Sequence, residues 1–284
     1  MKILVLGATG MLGNAMLRLF AQSPGFSAVG TARSPALVAR LPEAVRPLVR
    51  LGVDVESHDQ LVQLFERERP DVVVNAIGLI KQLSDAKDPL AALPVNALLP
   101  HRLARLAALA GARLVHVSTD CVFSGSKGGY AESDFPDADD LYGRSKLLGE
   151  VDYPNAVTLR TSIIGCELGS ANALVGWFLA QPGPVKGFRR ALFSGLPTVV
   201  LAEVVRDHVL PRPDMRGLWH VSAEPIDKFT LLSLVRDAWG RDTQIEPYDD
   251  FVIDRSLNSD RFRAATGWQP PAWPDLIARM RAFG

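Results

Sequence analysis

Tyr142 and Lys146 lie four residues apart in LYGRSKLLGE (residues 141–150), with Gly143, Arg144 and Ser145 between them. In a helix that spacing places both side chains on one face, one above the other. A phenol against an ammonium can donate a proton to a carbonyl, and it can equally be an ordinary surface pair. The spacing alone leaves both readings open. An unperturbed tyrosine, with a pKa of about 10, is a poor acid near neutrality, and a nearby cation favours its ionised form. Such a pair is therefore suited to general acid–base chemistry only if something brings a substrate to it.

A second set of residues supplies a reason. GATGMLG carries Gly7, Gly10 and Gly13 in a G-x-x-G-x-x-G array, with Thr9 inside it, between an apolar run and a helical pattern. Gly7 permits the tight turn, Gly10 lets the backbone approach a pyrophosphate, and Gly13 lets the helix pack on the strand. The free N–H groups of Met11 and Leu12 would then face phosphate. Glycine turns also serve plain strand–helix packing, but this one stands at a strand–helix boundary, the context of dinucleotide binding. The second strand ends in Arg33-Ser34, a cation and a hydroxyl that suit a 2′-phosphate where an acidic residue would favour NAD(H). NADP(H) is accordingly the expected cofactor. GVDV, with Asp54 and Val55, falls where the third strand should end beside the adenine. Asp54 could accept from the adenine amino group or simply start a helix.

These residues need a frame. KILVLG, FSAVGTAR, DVVVNAIG, RLVHVSTD and AVTLRTSIIG read as strands. MLGNAMLRLFAQS, HDQLVQLFERER, PHRLARLAALA and the stretch around Tyr142 read as helices. Strand–helix alternation of this kind predicts a doubly wound α/β parallel sheet of Rossmann type over residues 1–165. Beyond residue 165, QPGPVKG, LPRPDMRG and GWQPPAWPD raise the proline and glycine content. Residues 166–284 are expected to form a smaller substrate lobe, with segments that can interleave with the first domain.

Composition narrows the class. The chain has 284 residues, with 31 Lys+Arg balanced by 31 Asp+Glu, so no electrostatic footprint for nucleic acid or a membrane surface is present. The run DVVVNAIGLI is too short to span a bilayer. MKILVLGATG runs straight into the glycine turn and reads as a buried strand, not a leader. Cys121 and Cys166 are far apart and form no CxxC pair, which fits a reduced, cytoplasmic setting. No residue set is read as a metal site.

GATGMLG, NAIG (Asn75–Gly78), VSTDCVFSG (Val117–Gly125), YAESD and YGRSK together resemble the extended short-chain dehydrogenase/reductases, and within them the dTDP-4-dehydrorhamnose reductase group. The resemblance spans essentially the whole chain, through GLWHVSA and RSLNSDRF. It implies NADPH-dependent reduction of the 4-keto group of a nucleotide-linked 4-keto-6-deoxy sugar, serving surface polysaccharide synthesis. Tyr142 would then be the proton donor, Lys146 its electrostatic partner and a ribose ligand, and Thr119 the hydroxyl holding the carbonyl oxygen. Ala76, Ile77 and Gly78 would flank the cofactor. By analogy Arg255, Asn258 and Arg261 would meet the substrate diphosphate. Asp120 would orient substrate, and Lys81 in GLIKQ would face it or lie in solvent. The related 4,6-dehydratases follow the threonine with Asp-Glu; here Asp120 is followed by Cys121, so the elimination base is missing. Cys121 stands where rhamnose reductases usually have tyrosine, which leaves the sugar open. Two alternatives stand beside reduction. One is a non-catalytic NADP-binding regulatory subunit, since the regulatory β subunit of methionine adenosyltransferase resembles the same family. The other is a nucleotide-sugar 4-epimerase. The expected partner is a nucleotide-diphosphate sugar, and a homodimer stays open.

Overall fold

Buried on both faces, the strands of a parallel sheet read as continuous apolar runs, and VVVN (Val72–Asn75) is buried at every position. A computed structural model of the chain describes residues 1–80 and 87–284. Its first half runs β1 (Lys2–Leu6), α1 (Met11–Gln22), β2 (Ser27–Ala32), α2 (Pro35–Val38), β3 (Val49–Leu51), α3 (His58–Glu68) and β4 (Val72–Asn75). It continues with α4 (Pro89–Ala92), α5 (Leu99–Leu109), β5 (Arg113–Thr119), α6 (Leu141–Leu148) and β6 (Ala156–Thr161). The second half adds β7 (Ile163–Ile164), α7 (Leu174–Leu179), β8 (Val185–Phe188), β9 (Ala191–Phe193), β10 (Leu196–Pro197), α8 (Thr198–Val204) and β11 (Gly217–His220). Last come β12 (Ile226–Asp227), α9 (Lys228–Trp239), β13 (Ile245–Tyr248), β14 (Ile253–Asp254), α10 (Asp260–Thr266) and α11 (Trp273–Phe283).

Seven strands form one sheet in the order β11-β6-β5-β4-β1-β2-β3, every pairing parallel. The alternation of side chains along β1 divides the core: Ile3 and Val5 enter the cluster with α1, α8, α9 and α11, while Leu4 and Leu6 enter that with α3 and α5. The order reverses at β1, between β4 and β2, so the crevice at the carboxyl ends of these strands is where ligands bind in open α/β sheets.

The lobe expected over 166–284 is interleaved with the sheet. β11 pairs with β6, Gly217 opposite Val157 through His220 opposite Arg160, and α8 packs against α1. The rest of this half makes three small sheets, β10-β7, β12-β9-β14 and β13-β8. The third strand also differs: β3 stops at Leu51, three residues before Asp54. The helix expected to start at Pro100 is preceded by α4 and a π-helical turn, Leu93–Leu98. Pro100 has no N–H to give the Asn96 carbonyl, four residues back. Gly149 lies close against that carbonyl; a Cβ there would sit 2.0 Å from the oxygen.

At the glycine turn the local conformation matches its sequence. Gly7 has φ +82°, the left-handed region open to glycine. A Cβ on Gly13 would lie 2.0 Å from the Gly7 carbonyl oxygen, so only glycine lets α1 approach the turn this closely. The substitution Gly13→Ala is therefore expected to lower unfolding free energy by about 1–3 kcal/mol. Denaturant titration checks it, and a loss below about 0.5 kcal/mol would contradict this packing.

Candidate active site

α6 starts where Asp140 caps it, accepting from the Gly143 N–H at 2.7 Å. Gly143 also permits the helix to touch the 120–122 turn, since a Cβ there would lie 2.2 Å from the Cys121 carbonyl oxygen. Tyr142 is thereby set against Thr119, the last residue of β5. Lys146, one turn further, is 4% exposed and donates from Nζ to the Val117 carbonyl at 2.8 Å. Thr119 Oγ1 donates to Asp120 Oδ1 at 3.1 Å and accepts from the Cys121 N–H at 3.1 Å.

The electrostatics follow from burial. Loss of water raises the Tyr142 phenol above its ordinary range, Cys121 and Asp120 add to the rise, and Thr119 opposes it. The expectation that Lys146 draws the phenol toward neutrality is thus outweighed by burial, and the phenol keeps its proton. Burial pulls the Lys146 ammonium down to about 8, against the opposing carboxylate of Glu150. Burial, with Asp120 beside it, pushes the Cys121 thiol up to about 12, so it is no thiolate nucleophile near neutrality. Burial also raises Asp120, with Arg255 and the Thr119 hydroxyl working the other way.

A cavity of about 630 Å3 joins these groups to the glycine turn. Gly10, Met11 and Leu12 line it at one place, then Ala76, Ile77 and Gly78, then Thr119, Asp120, Tyr142, Lys146 and Arg255. Gly10 is the N-cap of α1 and has no side-chain cap, and no acidic residue occupies the first turn. That helix end is left free for an anion. Gly7 and Thr9 build the turn behind it.

Other expected residues lie elsewhere. Arg33 is exposed just past β2, and Ser34 caps α2, accepting from the Ala36 N–H at 3.3 Å. Asp54 accepts from the Glu56 N–H and its own N–H donates to Gln60 Oε1, so it organises the turn into α3. Val55 is buried in the core with Leu61 and Leu64. The structure does not bring Asn258 or Arg261 to the cavity. Asn258 Oδ1 accepts from the Asp260 N–H at the start of α10. Arg261 donates to the Leu218 carbonyl and stacks 3.8 Å above the Trp219 ring. Only Arg255 of that segment faces inward, with Nε donating to the Phe123 carbonyl at 2.8 Å. Lys81 lies outside the described residues.

Several residues that sequence reasoning did not single out support the site. Asn96, fully buried in the π-helical turn, accepts from the Leu79 N–H and donates to the Leu79 carbonyl and Ser145 Oγ. It ties the segment after β4 to α6. Glu150 accepts from Ser118 Oγ at 2.7 Å and from Arg160 Nε and Nη2 at 2.8 and 2.6 Å. Arg160 also donates to His220 Nε2 at 3.1 Å, and His220 Nδ1 donates to the Tyr130 carbonyl at 3.0 Å. A guanidinium only donates and a carbonyl only accepts, so His220 is the neutral Nδ1–H tautomer, in keeping with the burial that lowers its pKa. By the same logic His116, held below its ordinary pKa chiefly by burial, accepts at Nδ1 from Asn75 Nδ2. A signal for Asn96 existed in the two prolines flanking it, Pro94 and Pro100; the Glu150–Arg160 pairing had none, because β6 meets α6 only in three dimensions.

Comparison with known proteins places this geometry in context. The family model described as RmlD substrate binding domain matches residues 1–280. The chain is similar to methionine adenosyltransferase 2 subunit beta of Mus musculus, 36% identical with 97% of this chain and 88% of that protein covered. It is also similar to the dTDP-4-dehydrorhamnose reductase of Burkholderia thailandensis, 36% identical over 152 residues, which cover 53% of this chain and 45% of that enzyme. Among solved structures, a dTDP-4-dehydrorhamnose reductase from Bacillus anthracis in complex with NADP superposes with a TM-score of 0.80 at 19% identity, covering 100% of this chain and 98% of that one.

The Glu150–Arg160 pair is sequestered, with side-chain exposures of 10% and 2%. Arg160→Met, which leaves the carboxylate buried and unpaired, is expected to cost about 3–5 kcal/mol of stability. Equilibrium unfolding would measure it, and a near-neutral result would mean that Glu150 is adequately solvated without its partner.

Proposed function

Because the chain belongs to the RmlD substrate-binding domain family, we propose that it uses NADPH to reduce the 4-keto group of a nucleotide-linked 4-keto-6-deoxy sugar. The observation that carries this reading is the convergence of Thr119, Tyr142 and Lys146 on one cavity with the uncapped N-terminus of α1. The fit of a dinucleotide rests on that bare helix end, the left-handed Gly7 and the close Gly13 contact. Gly7, Thr9, Gly10, Met11 and Leu12 would hold its pyrophosphate, Arg33 and Ser34 its 2′-phosphate, and Ala76, Ile77 and Gly78 its nicotinamide half. Lys146 would hold the adjoining ribose. When bound, the cofactor supplies hydride to the carbonyl carbon.

The chain's own residues then handle the oxygen. Thr119 would turn its one hydroxyl proton from Asp120 to the carbonyl oxygen, where negative charge develops. Tyr142, kept protonated by its buried surroundings, gives that oxygen its proton. The Lys146 ammonium stabilises the phenolate left behind, which offsets the cost of ionising a buried phenol. Cys121, holding its own proton, gives no base for an elimination. The NADP complex of the Bacillus anthracis reductase and the name of the Burkholderia thailandensis relative support this reading. The long match to methionine adenosyltransferase 2 subunit beta favours a second one, an NADP-binding regulatory subunit without turnover.

NADPH consumption with dTDP-4-keto-6-deoxy-L-mannose and related keto-sugars separates them: turnover supports the reductase, and tight NADPH binding with no turnover supports the regulatory subunit. Tyr142→Phe is expected to lower kcat about 100- to 10,000-fold while leaving NADPH affinity nearly unchanged. Unchanged turnover would remove Tyr142 as the donor. Since kcat/KM reports groups of the free enzyme, it should fall as pH rises past about 8, where Lys146 loses its proton. A basic limb appearing only near pH 10 would contradict that role for the lysine.

A further inference from the structure

Lys228 is the first residue of α9 and lines the cavity beside Asp120, Cys121 and Arg255. A cation at that position sits at the positive end of a twelve-residue helix, where the macrodipole opposes it. Its neighbour Asp227 is committed elsewhere, with Oδ1 accepting from the Thr230 N–H and Oδ2 from the Thr230 hydroxyl. Lys228 forms no ion pair among the described residues, although burial penalises its charge.

Arg255 reinforces the imbalance. Its Nε is taken by the Phe123 carbonyl and its Nη1 lies 3.8 Å from Cys121 Sγ, while Nη2 has no hydrogen-bond partner among the described residues. Two carboxylates line the cavity, Asp120 and Glu167. Asp120 already accepts from Thr119, and Glu167 accepts from the Ser170 hydroxyl and the Ala173 N–H. Two cations thus share one wall past Thr119, Arg255 held by the Phe123 carbonyl, with Asp120 the buried carboxylate beside them.

We propose that Lys228 joins Arg255, already expected there by resemblance, in holding the diphosphate of the nucleotide-linked substrate, an inference that rests on the reductase reading above. A diphosphate is the substrate group that satisfies both cations at once, the ammonium as a compact point charge and the guanidinium as a planar donor. The cavity then has two anion-receiving ends. One is the α1 N-terminus after β1; the other lies beyond Thr119 on β5, two strands along the sheet. The reacting carbonyl is held from both sides.

Calorimetric titration of the full chain and of Lys228→Met with dTDP, thymidine and NADPH tests this. The variant is expected to bind dTDP about tenfold more weakly, with thymidine and NADPH affinities within about twofold of the parent; Lys228→Arg should recover most of the loss. Retained NADPH binding shows that the variant is folded. Unchanged dTDP affinity in Lys228→Met overturns the assignment and leaves the reductase reading standing. So does a parent protein that binds dTDP no better than thymidine yet still reduces keto-sugars. A parent that binds neither dTDP nor UDP and turns over no keto-sugar overturns both.

Discussion

The contact on which the site depends is the buried pairing of Glu150 with Arg160. It joins the turn leaving α6 to β6, and through Ser118 it reaches the residue before Thr119. Two ions taken out of water cost several kcal/mol each, and their attraction offsets this only when the remaining donors and acceptors are filled. Each nitrogen of Arg160 has a partner: Nη1 donates to His220, and the Cζ stands 4.9 Å from the Phe123 ring centroid. Phe123 stacks on Tyr130 at 4.0 Å, and Tyr130 accepts through its carbonyl from His220. The ion pair therefore fixes the end of α6, the end of β5 and the loop after it in one arrangement.

On that frame the electrostatics divide the labour between two side chains. Burial acts on both, and because one is neutral and the other charged when protonated, it moves them in opposite directions. The phenol is pushed toward keeping its proton, and the ammonium toward losing its own. Environment therefore drives the two groups apart: the phenol holds its proton through the range in which the ammonium gives its up. Glu150 limits the fall of the lysine, so the Glu150–Arg160 pair also acts on the charge of Lys146.

Much of this was legible in the sequence. The continuous apolar runs marked β1, β4 and β5, and the glycine array located the start of α1. Tyr-x-x-x-Lys fell on a helix, as its spacing required. What escaped was whatever depended on distant pairing. GLWH fell in the smaller lobe whose segments can interleave with the first domain, but its partner did not show, because β6 lies sixty residues earlier. Asp54 suited an adenine contact by position, but β3 ends at Leu51 and the carboxylate closes a turn of its own. In RSLNSDRF, three polar side chains looked equivalent; the chain turns between Arg255 and Asn258, so one faces the cavity and the others cap α10 and cover Trp219.

Three departures from local preference stand at or beside the cavity. A helix interrupted by a π turn puts Asn96 between the strand end and α6, at the expense of regular hydrogen bonding. The N-terminus of α1 lacks the cap that α3, α6 and α9 each receive from a Ser or Asp. Lys228 begins a helix where an acidic residue would be favoured. The last two present backbone donors and a charge to the enclosed space, and the first holds α6 against the segment after β4. At the α1 N-terminus and at Lys228 a local cost in folding is set against a group that faces the enclosed space, which is what a binding site requires.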